Sequence, residues 1–422
     1  MNILMGSGVP KRREGGVAAV VYNLGRELQS LGHQVTYVFL DDLVAPGSVS
    51  PRFLDLIFSA RLARYIVQNR GKFSLVNLHA PAGMIYGVRH RLNRNSDNPP
   101  YVMTLHGLEE RRVRVMRREA KKGRAWNFGW KNRLWHRVYH FPRFRWSIRT
   151  ADAAHVFSRD VWNFLQLEYG LDPERCAYIP NGVERRFFTP REYRRGESLR
   201  LLYPGTWLDQ RGIFNLRDAL RKLAPQLPGM TLTIAGPGVP AGEIVGFFGE
   251  ELATRIIVHP AVPAENMPAL YSDHDVLVFP SLMEGLPNVL LEAMASGMAV
   301  ITTETCGMPD VVEDEFNGLL IQPADAPAIE QAILKLAHSE GLRKRLGEAA
   351  RESMLRQTWE RAGQRLEALF LRVVEDQAGR RSGPVSPPER PAGRGAETQA
   401  SDPADGRAGE MPRAAKPRPK HE

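Results

Sequence analysis

Two glutamates, Glu284 and Glu292, stand eight residues apart in the stretch FPSLMEGLPNVLLEAMASGMAVITT, residues 279–303. A Gly285-Leu286-Pro287-Asn288 turn separates them, and proline suits the first turn of a helix. The spacing therefore predicts a helix from Pro287 or Asn288, with Glu284 in the loop before it and Glu292 one turn in. Free amides at such a helix start favour a phosphate or diphosphate, because unpaired N–H groups and the helix dipole both point at the anion. Glu292 could accept two hydrogen bonds from a ribose diol. Taken alone, such a pair reads as a capped amphipathic helix with a surface glutamate. Its context favours chemistry: a buried strand ends at Pro280-Ser281 before it, and a small-residue helix, a Ser-Gly turn and a strand follow. That is the arrangement in which open α/β sheets bind ligands.

The elements that must position these residues alternate along the chain. Asn2–Met5 reads as a strand, Gly6–Gly16 as a glycine-rich basic loop, and Val17, Val20, Val21, Leu24, Leu28 and Leu31 recur at helical spacing up to Gly32. Apolar runs at Val35–Leu40, Ser74–Leu78, Tyr101–Leu105, Ala154–Phe157 and Cys176–Ile179 are rich in strand formers and separated by enough chain for crossover helices. A second series follows the polar, Arg-bearing stretch after Ile179, with strand patterns at Leu199–Tyr203, Thr231–Ala235, Ile256–Val258, Val276–Phe279, Ala299–Thr302 and Leu319–Ile321. Alternation of this kind predicts parallel sheets with helices on both faces. A last amphipathic helix over Trp359–Glu375 carries Leu366, Leu369, Phe370 and Val373.

At 422 residues the chain exceeds one core and suggests two or three domains. With 43% hydrophobic and 25% charged residues it falls among globular proteins, and no run of eighteen uncharged apolar residues suggests a spanning helix. The N-terminus lacks the pattern of a signal peptide, so the chain is expected in the cytoplasm. Its two cysteines, Cys176 and Cys306, argue against a disulfide framework and read as core residues. Residues 379–422 hold eight Pro and six Gly with almost no apolar side chains, the composition of a disordered tail.

The glutamate pair resembles the E-x7-E signature of the family 4 retaining glycosyltransferases, whose fold is called GT-B, and further motifs agree in order. Gly15-Gly16 matches the family's glycine-rich first loop, His106 in TLHG its strand-end histidine, and PNGV at 180–183 its domain link. YPGTWLDQRG at 203–212, Ile234–Gly238, Asn317-Gly318-Leu319 and Trp359-Glu360 complete the series, which covers residues 1–375. The resemblance implies two Rossmann-like parallel-sheet domains facing across a cleft: an acceptor-side domain over 1–185, a nucleotide-sugar domain over 186–356, and a helix over 357–378 crossing back to the first.

On this resemblance the donor is a nucleotide diphosphate sugar, bound without metal or organic cofactor by Gly15, Gly16, Gly205, Arg211, Gly285, Leu286, Pro287, Asn288 and Glu292. Arg211 occupies a lysine position of the family and would clamp the diphosphate, for which a guanidinium fork is suited. Glu284 and His106 would be the catalytic pair, Glu284 holding sugar hydroxyls and His106 orienting the sugar or stabilising charge. His79, in NLHAP, is a second candidate of the same kind. Four positions depart from the family pattern: Thr206 stands where an arginine is usual, Pro260 where a glycine is expected near the base, Cys306 in place of the first glycine of a pair, and Asp310 in place of the glutamate that follows. No Asp-x-Asp pair suggests a metal-bridged diphosphate, so cations and helix amides must carry leaving-group charge.

Charge isolates one further region. The chain is +10 overall, yet residues 111–149 hold fourteen Lys/Arg against the single acid Glu119. Four of the seven tryptophans lie there, Trp126, Trp130, Trp135 and Trp146, interleaved with Phe128, Tyr139, Phe141 and Phe144. A polybasic, Trp-rich face suits an anionic membrane surface, with Arg117, Arg118, Lys121, Lys122, Trp126, Trp130 and Trp135 as contacts. An anionic soluble acceptor, nucleic acid, or a solvated helix pair with buried aromatics are the competing readings, and with the excess confined to one insertion no nucleic-acid partner is expected. The combined expectation is a transferase at the inner face of the cytoplasmic membrane, acting on a lipid-linked or membrane-associated glycan of the cell envelope. A catalytically weak binding module and a nucleotide-sugar epimerase are the alternatives.

Overall fold

The computed structural model describes residues 1–11, 15–93, 97–125, 130–193 and 198–381. The tail expected to be disordered lies almost wholly outside them, as does Trp126. Among the described residues twelve strands form two sheets of six, every pairing within them parallel. In chain order β1 to β6 are Asn2–Ser7, Gln34–Phe39, Leu75–His79, Tyr101–Leu105, Ala153–Val156 and Cys176–Tyr178. They are followed by β7 to β12: Arg200–Pro204, Thr231–Ala235, Ile256–His259, Val276–Phe279, Ala299–Thr303 and Leu319–Ile321. The sheets run β2-β1-β3-β4-β5-β6 and β12-β11-β10-β7-β8-β9.

Both sheets are covered by helices on their two faces, which is why β3, β4, β5, β10 and β11 are buried along their whole length. The chain order reverses between β1 and β3 in the first sheet and between β7 and β10 in the second. Such switch points leave a crevice at the carboxyl ends of the flanking strands, because the two connections leave in opposite directions. The loops after β7 and β10 carry Gly205, Arg211 and Glu284, so the motif residues arise where topology opens the sheet.

The closing helix Trp359–Arg381 returns to the first sheet's side. Its buried Leu366, Leu369, Phe370 and Val373 share one apolar cluster with Val20, Val21, Leu24 and Leu28 of the helix Gly16–Ser30. Gly363 meets that helix so closely that a Cβ there would lie 2.5 Å from Glu27 Cβ. The His33 and Glu367 side chains add a 2.7 Å contact. Among the described residues no helix is long and apolar enough to cross a membrane.

Candidate active site

On the second sheet, Glu284 follows β10 and its carboxylate accepts from Arg211 Nη2 at 3.1 Å. Gly205 makes the contact possible: at φ 109°, its Cα bears no side chain where a Cβ would come within 2.2 Å of Arg211 Nη1. The guanidinium also lies 5.5 Å from the Phe279 ring centroid. Burial pushes the Glu284 carboxyl up while Arg211 draws it down, and the net shift is upward. The arginine assigned by motif to the diphosphate is thus held beside the glutamate assigned to the sugar.

The helix predicted from Pro287 or Asn288 spans Asn288–Ala295, with Pro287 as its cap residue. Asn181 of the PNGV motif ties it down, its Nδ2 donating to Leu286 O at 3.1 Å and Asn288 Oδ1 at 2.9 Å. Gln357 donates in turn to Asn181 O at 2.6 Å. One turn into the helix, Glu292 accepts from Tyr271 Oη at 2.8 Å. Burial raises its carboxyl from the ordinary range to about 7, only partly opposed by the Tyr271 hydrogen bond. Neither Tyr271 nor the part played by Asn181 was singled out from sequence. Asn181 lies in a recognised motif, whereas Tyr271 carries no local signal.

His106 follows β4 on the first sheet and reaches the same place. A Cβ on Gly285 would lie 2.0 Å from the His106 carbonyl oxygen, so the loop between the two glutamates and the strand-end histidine are in contact across the cleft. The His106 ring lies 2.7 Å, Nε2 to Nδ1, from His79 at the end of β3 and 4.9 Å from Phe157 by ring centroids. Burial holds the His106 imidazole down at about 3 and the third histidine nearby, His155, at about 4, so both are neutral near pH 7. Gly15 and Gly16, with φ of 76° and 60°, open the first helix beside residues that lie outside the described set.

The departures from the family pattern have local accommodations. Cys306 adopts φ 52°, the left-handed conformation that a glycine would take without cost. Its thiol donates to Met283 Sδ at 3.2 Å, and Gly307 N to Gly285 O at 2.9 Å. Asp310 accepts from the Arg159 amide at 2.7 Å, a further contact between the halves. Thr206 is exposed beside Gly238, 3.9 Å from where a Cβ would stand. Nothing in the structure explains Pro260.

The basic insertion divides into two groups. Its first helix, Glu109–Lys121, turns Met116 and Glu119 inward and leaves Arg114, Arg117, Arg118 and Lys121 exposed, with exposed Lys122 just beyond donating to Glu119 at 2.9 Å. Arg124 instead reaches the second sheet's helix Ile213–Leu223, donating to Asn215 Oδ1 and Asp218 Oδ2, both at 2.9 Å, while Arg112 meets Gln210 at 3.4 Å. From Trp130 the chain is helical to Thr150, with a π turn over His136–His140. Trp130, Leu134, Val138 and Trp146 are each more than half exposed along it. Trp135 points inward, stacked 4.4 Å from Tyr139 and edge-on to Phe53. The outward apolar set is therefore Trp130 and Trp146 with Leu134 and Val138, of which Trp130 alone was among the expected contacts.

Two family models together match residues 14–353: Glycosyltransferase Family 4 over residues 14–187 and Glycosyl transferases group 1 over 185–353. A curated relative, an uncharacterized glycosyltransferase of Methanocaldococcus jannaschii, is 24% identical over 306 residues, 72% of this chain and 77% of its own. Among solved structures, sucrose-phosphate synthase from Thermosynechococcus elongatus superposes with a TM-score of 0.74 at 20% identity, covering 89% of this chain and 99% of that one. Anabaena HepE in complex with UDP gives 0.63 at 14% identity, covering 88% and 100%. The paired sheets and the shared cleft define a glycosyltransferase of GT-B architecture. Within that class the chain belongs to family 4.

Proposed function

We propose that this protein is a retaining, metal-independent glycosyltransferase that moves a hexosyl unit from a nucleotide diphosphate sugar to a lipid-linked or membrane-associated glycan in cell-envelope, exopolysaccharide or lipopolysaccharide synthesis. The observation that carries the reading is the contact of His106 with Gly285, which brings the first half's histidine to the loop bearing Glu284. In this reading the second half, about residues 186–356, holds the donor: the turn Gly285 to Asn288 and Arg211 take the diphosphate, and Glu292 takes the ribose diol. Glu284, relieved of Arg211 when phosphate claims the guanidinium, accepts from sugar hydroxyls. Neutral His106 and the Gly15-Gly16 loop complete the sugar site from residues 1–185. Leaving-group charge falls on Arg211 and on the turn amides, and the amides are fixed before the donor arrives. UDP in the HepE complex supports a uridine donor as the first to try.

The acceptor side is read from the insertion. Exposed Arg114, Arg117, Arg118 and Lys121 offer charge to an anionic leaflet, at about 1 kcal/mol each, and the outward set Trp130, Leu134, Val138 and Trp146 offers apolar surface to its headgroup region. Half-buried Trp135 then supports the helix rather than the bilayer.

A thermal-shift panel of UDP, GDP, ADP and CDP tests the donor site. Stabilisation by one nucleotide, lost in Glu292→Ala, is the expected result; no stabilisation by any would sink the transferase reading and favour a binding module. Activity retained in EDTA and an anomeric configuration kept in the product test the mechanism. Sedimentation with vesicles rich in phosphatidylglycerol, against pure phosphatidylcholine, tests the membrane; equal binding to both would remove the charge argument.

A further inference from the structure

His79 is buried at 1% exposure, and its Nδ1 lies 2.7 Å from His106 Nε2. Between two neutral imidazoles that distance holds one proton, donated by one ring and accepted by the other. Two arrangements are possible, and the far side of His79 distinguishes them. Its Nε2 is buried and without a partner among the described residues. If His106 donated, His79 would be left with Nε2–H, a buried N–H lacking an acceptor. If His79 donates from Nδ1, the same Nε2 carries only a bare lone pair. Orphaned buried donors are the rarer defect.

We propose that His79 is a positioning residue: its Nδ1–H donates to His106 Nε2, which fixes His106 as the Nδ1–H tautomer and leaves that N–H to donate to an oxygen of the bound sugar. The geometry around the pair supports this assignment. β3 and β4 are neighbours in register, His79 opposite Thr104, so the two rings leave adjacent strand ends and stack 4.9 Å apart. Phe157 closes the other side of the His106 ring, 4.9 Å away. With Nε2 engaged, Nδ1 is the nitrogen available to a ligand.

The third histidine has its own proton chain and does not compete. His155 Nε2 donates to Ile179 O at 2.9 Å, which leaves its Nδ1 as an acceptor for Thr104 Oγ1 at 3.3 Å. The Thr104 hydroxyl oxygen accepts in turn from Asn77 Nδ2 at 2.9 Å. Burial above all holds the three imidazoles neutral, so the array directs hydrogen bonds and carries no charge. A neutral donor of fixed direction suits a sugar hydroxyl, which a rotating or charged ring would select less well.

The inference rests on the donor-sugar reading, but its first test does not. Long-range proton–nitrogen correlation spectra of the full chain labelled with nitrogen-15 histidine, assigned with His106→Gln, report each ring nitrogen directly. The expected pattern is a pyrrole-type Nδ1 and a pyridine-type Nε2 for His106; the reverse pattern overturns the proposal. His79→Asn places an amide donor where Nδ1 stood and keeps the His106 tautomer, whereas His79→Leu leaves a mixture. Activity should follow, with kcat falling about 10-fold in His79→Leu, donor KM little changed, and most of the loss restored in His79→Asn. A single unaltered tautomer and full kcat in His79→Leu would also overturn it. If His79→Leu fails to fold, the wild-type spectrum still decides. If the tautomer is as stated while no nucleotide sugar binds, the transferase reading fails and the dyad stands.

Discussion

The donor cleft and the basic insertion are built by different means. In the cleft, the chemistry-bearing residues leave strand ends or a helix start, and backbone contacts hold them: Gly205 beneath Arg211, Gly285 against His106 O, Asn181 on Leu286 O. In the insertion, long side chains do the holding, as with Arg124 on Asp218 and Arg143 near Asp55. The first kind of site tolerates almost no added volume. The second tolerates substitution but depends on charge, and therefore on salt.

The contrast is sharpest at Gly285. Alanine there would bring Cβ within 2.0 Å of the His106 carbonyl, which can be relieved only by separating the two halves. Gly285→Ala should lower kcat/KM by about 100-fold, the usual effect of a 1 Å misplacement, with a smaller change in Tm. Steady-state kinetics beside a melting curve check it, and an unchanged kcat/KM would break the account of the cleft.

Glu292→Gln comes next and has two opposite effects. Its folded carboxyl titrates near 7 against an ordinary 4.5. The folded state holds the proton more tightly, so the group's contribution is fully present below about 4.5 and is lost as pH rises through about 7. The uncharged amide removes that loss, and Tm should exceed wild type near pH 8 by about 2–4 °C per kcal/mol gained. Nucleotide binding should vanish in the same variant. In the wild type, nucleotide affinity should rise with pH through about 7, because a ribose diol donates to the ionised form. Calorimetry across that range tests the sign.

Serine at Leu134, Val138 and Trp146 together should cut binding to anionic vesicles several-fold while leaving Tm and nucleotide binding as they are, since all three are exposed. A fall in Tm would mean that they pack against something. Arg124→Ala should have the smallest effect. Its ion pair with Asp218 is about one-third exposed on each side, which limits it to about 0.2–1 kcal/mol. A double-mutant cycle with Asp218→Ala measures that energy, and a coupling near zero would show that this ion pair adds nothing to the other contacts between the halves.

Much of the fold was legible because buried parallel strands are short apolar runs that punctuation isolates. Tyr101–Leu105 and Thr231–Ala235 coincide with β4 and β8, and the crossover helix was marked by Leu366, Leu369, Phe370 and Val373. The glutamate pair and its helix start were legible from proline placement. Tyr271 was not, because its relation to Glu292 spans twenty-one residues and no periodicity links them. Composition places Trp135 among the outward contacts but assigns no face, and its stacking on Tyr139 leaves it half-buried.

The sequence by itself determined which segments become strands and helices, and which residues could bind a diphosphate or a diol. These properties depend on local spacing, turn chemistry and residue type. Tertiary structure alone decided that Arg211 rests on Glu284, that His79 lies within hydrogen-bond distance of His106, and that part of the basic insertion reaches the second half while another part faces outward. Those outcomes follow from strand order and from the closeness of two chain segments. A contact between residues 106 and 285 leaves no trace in the local pattern of either.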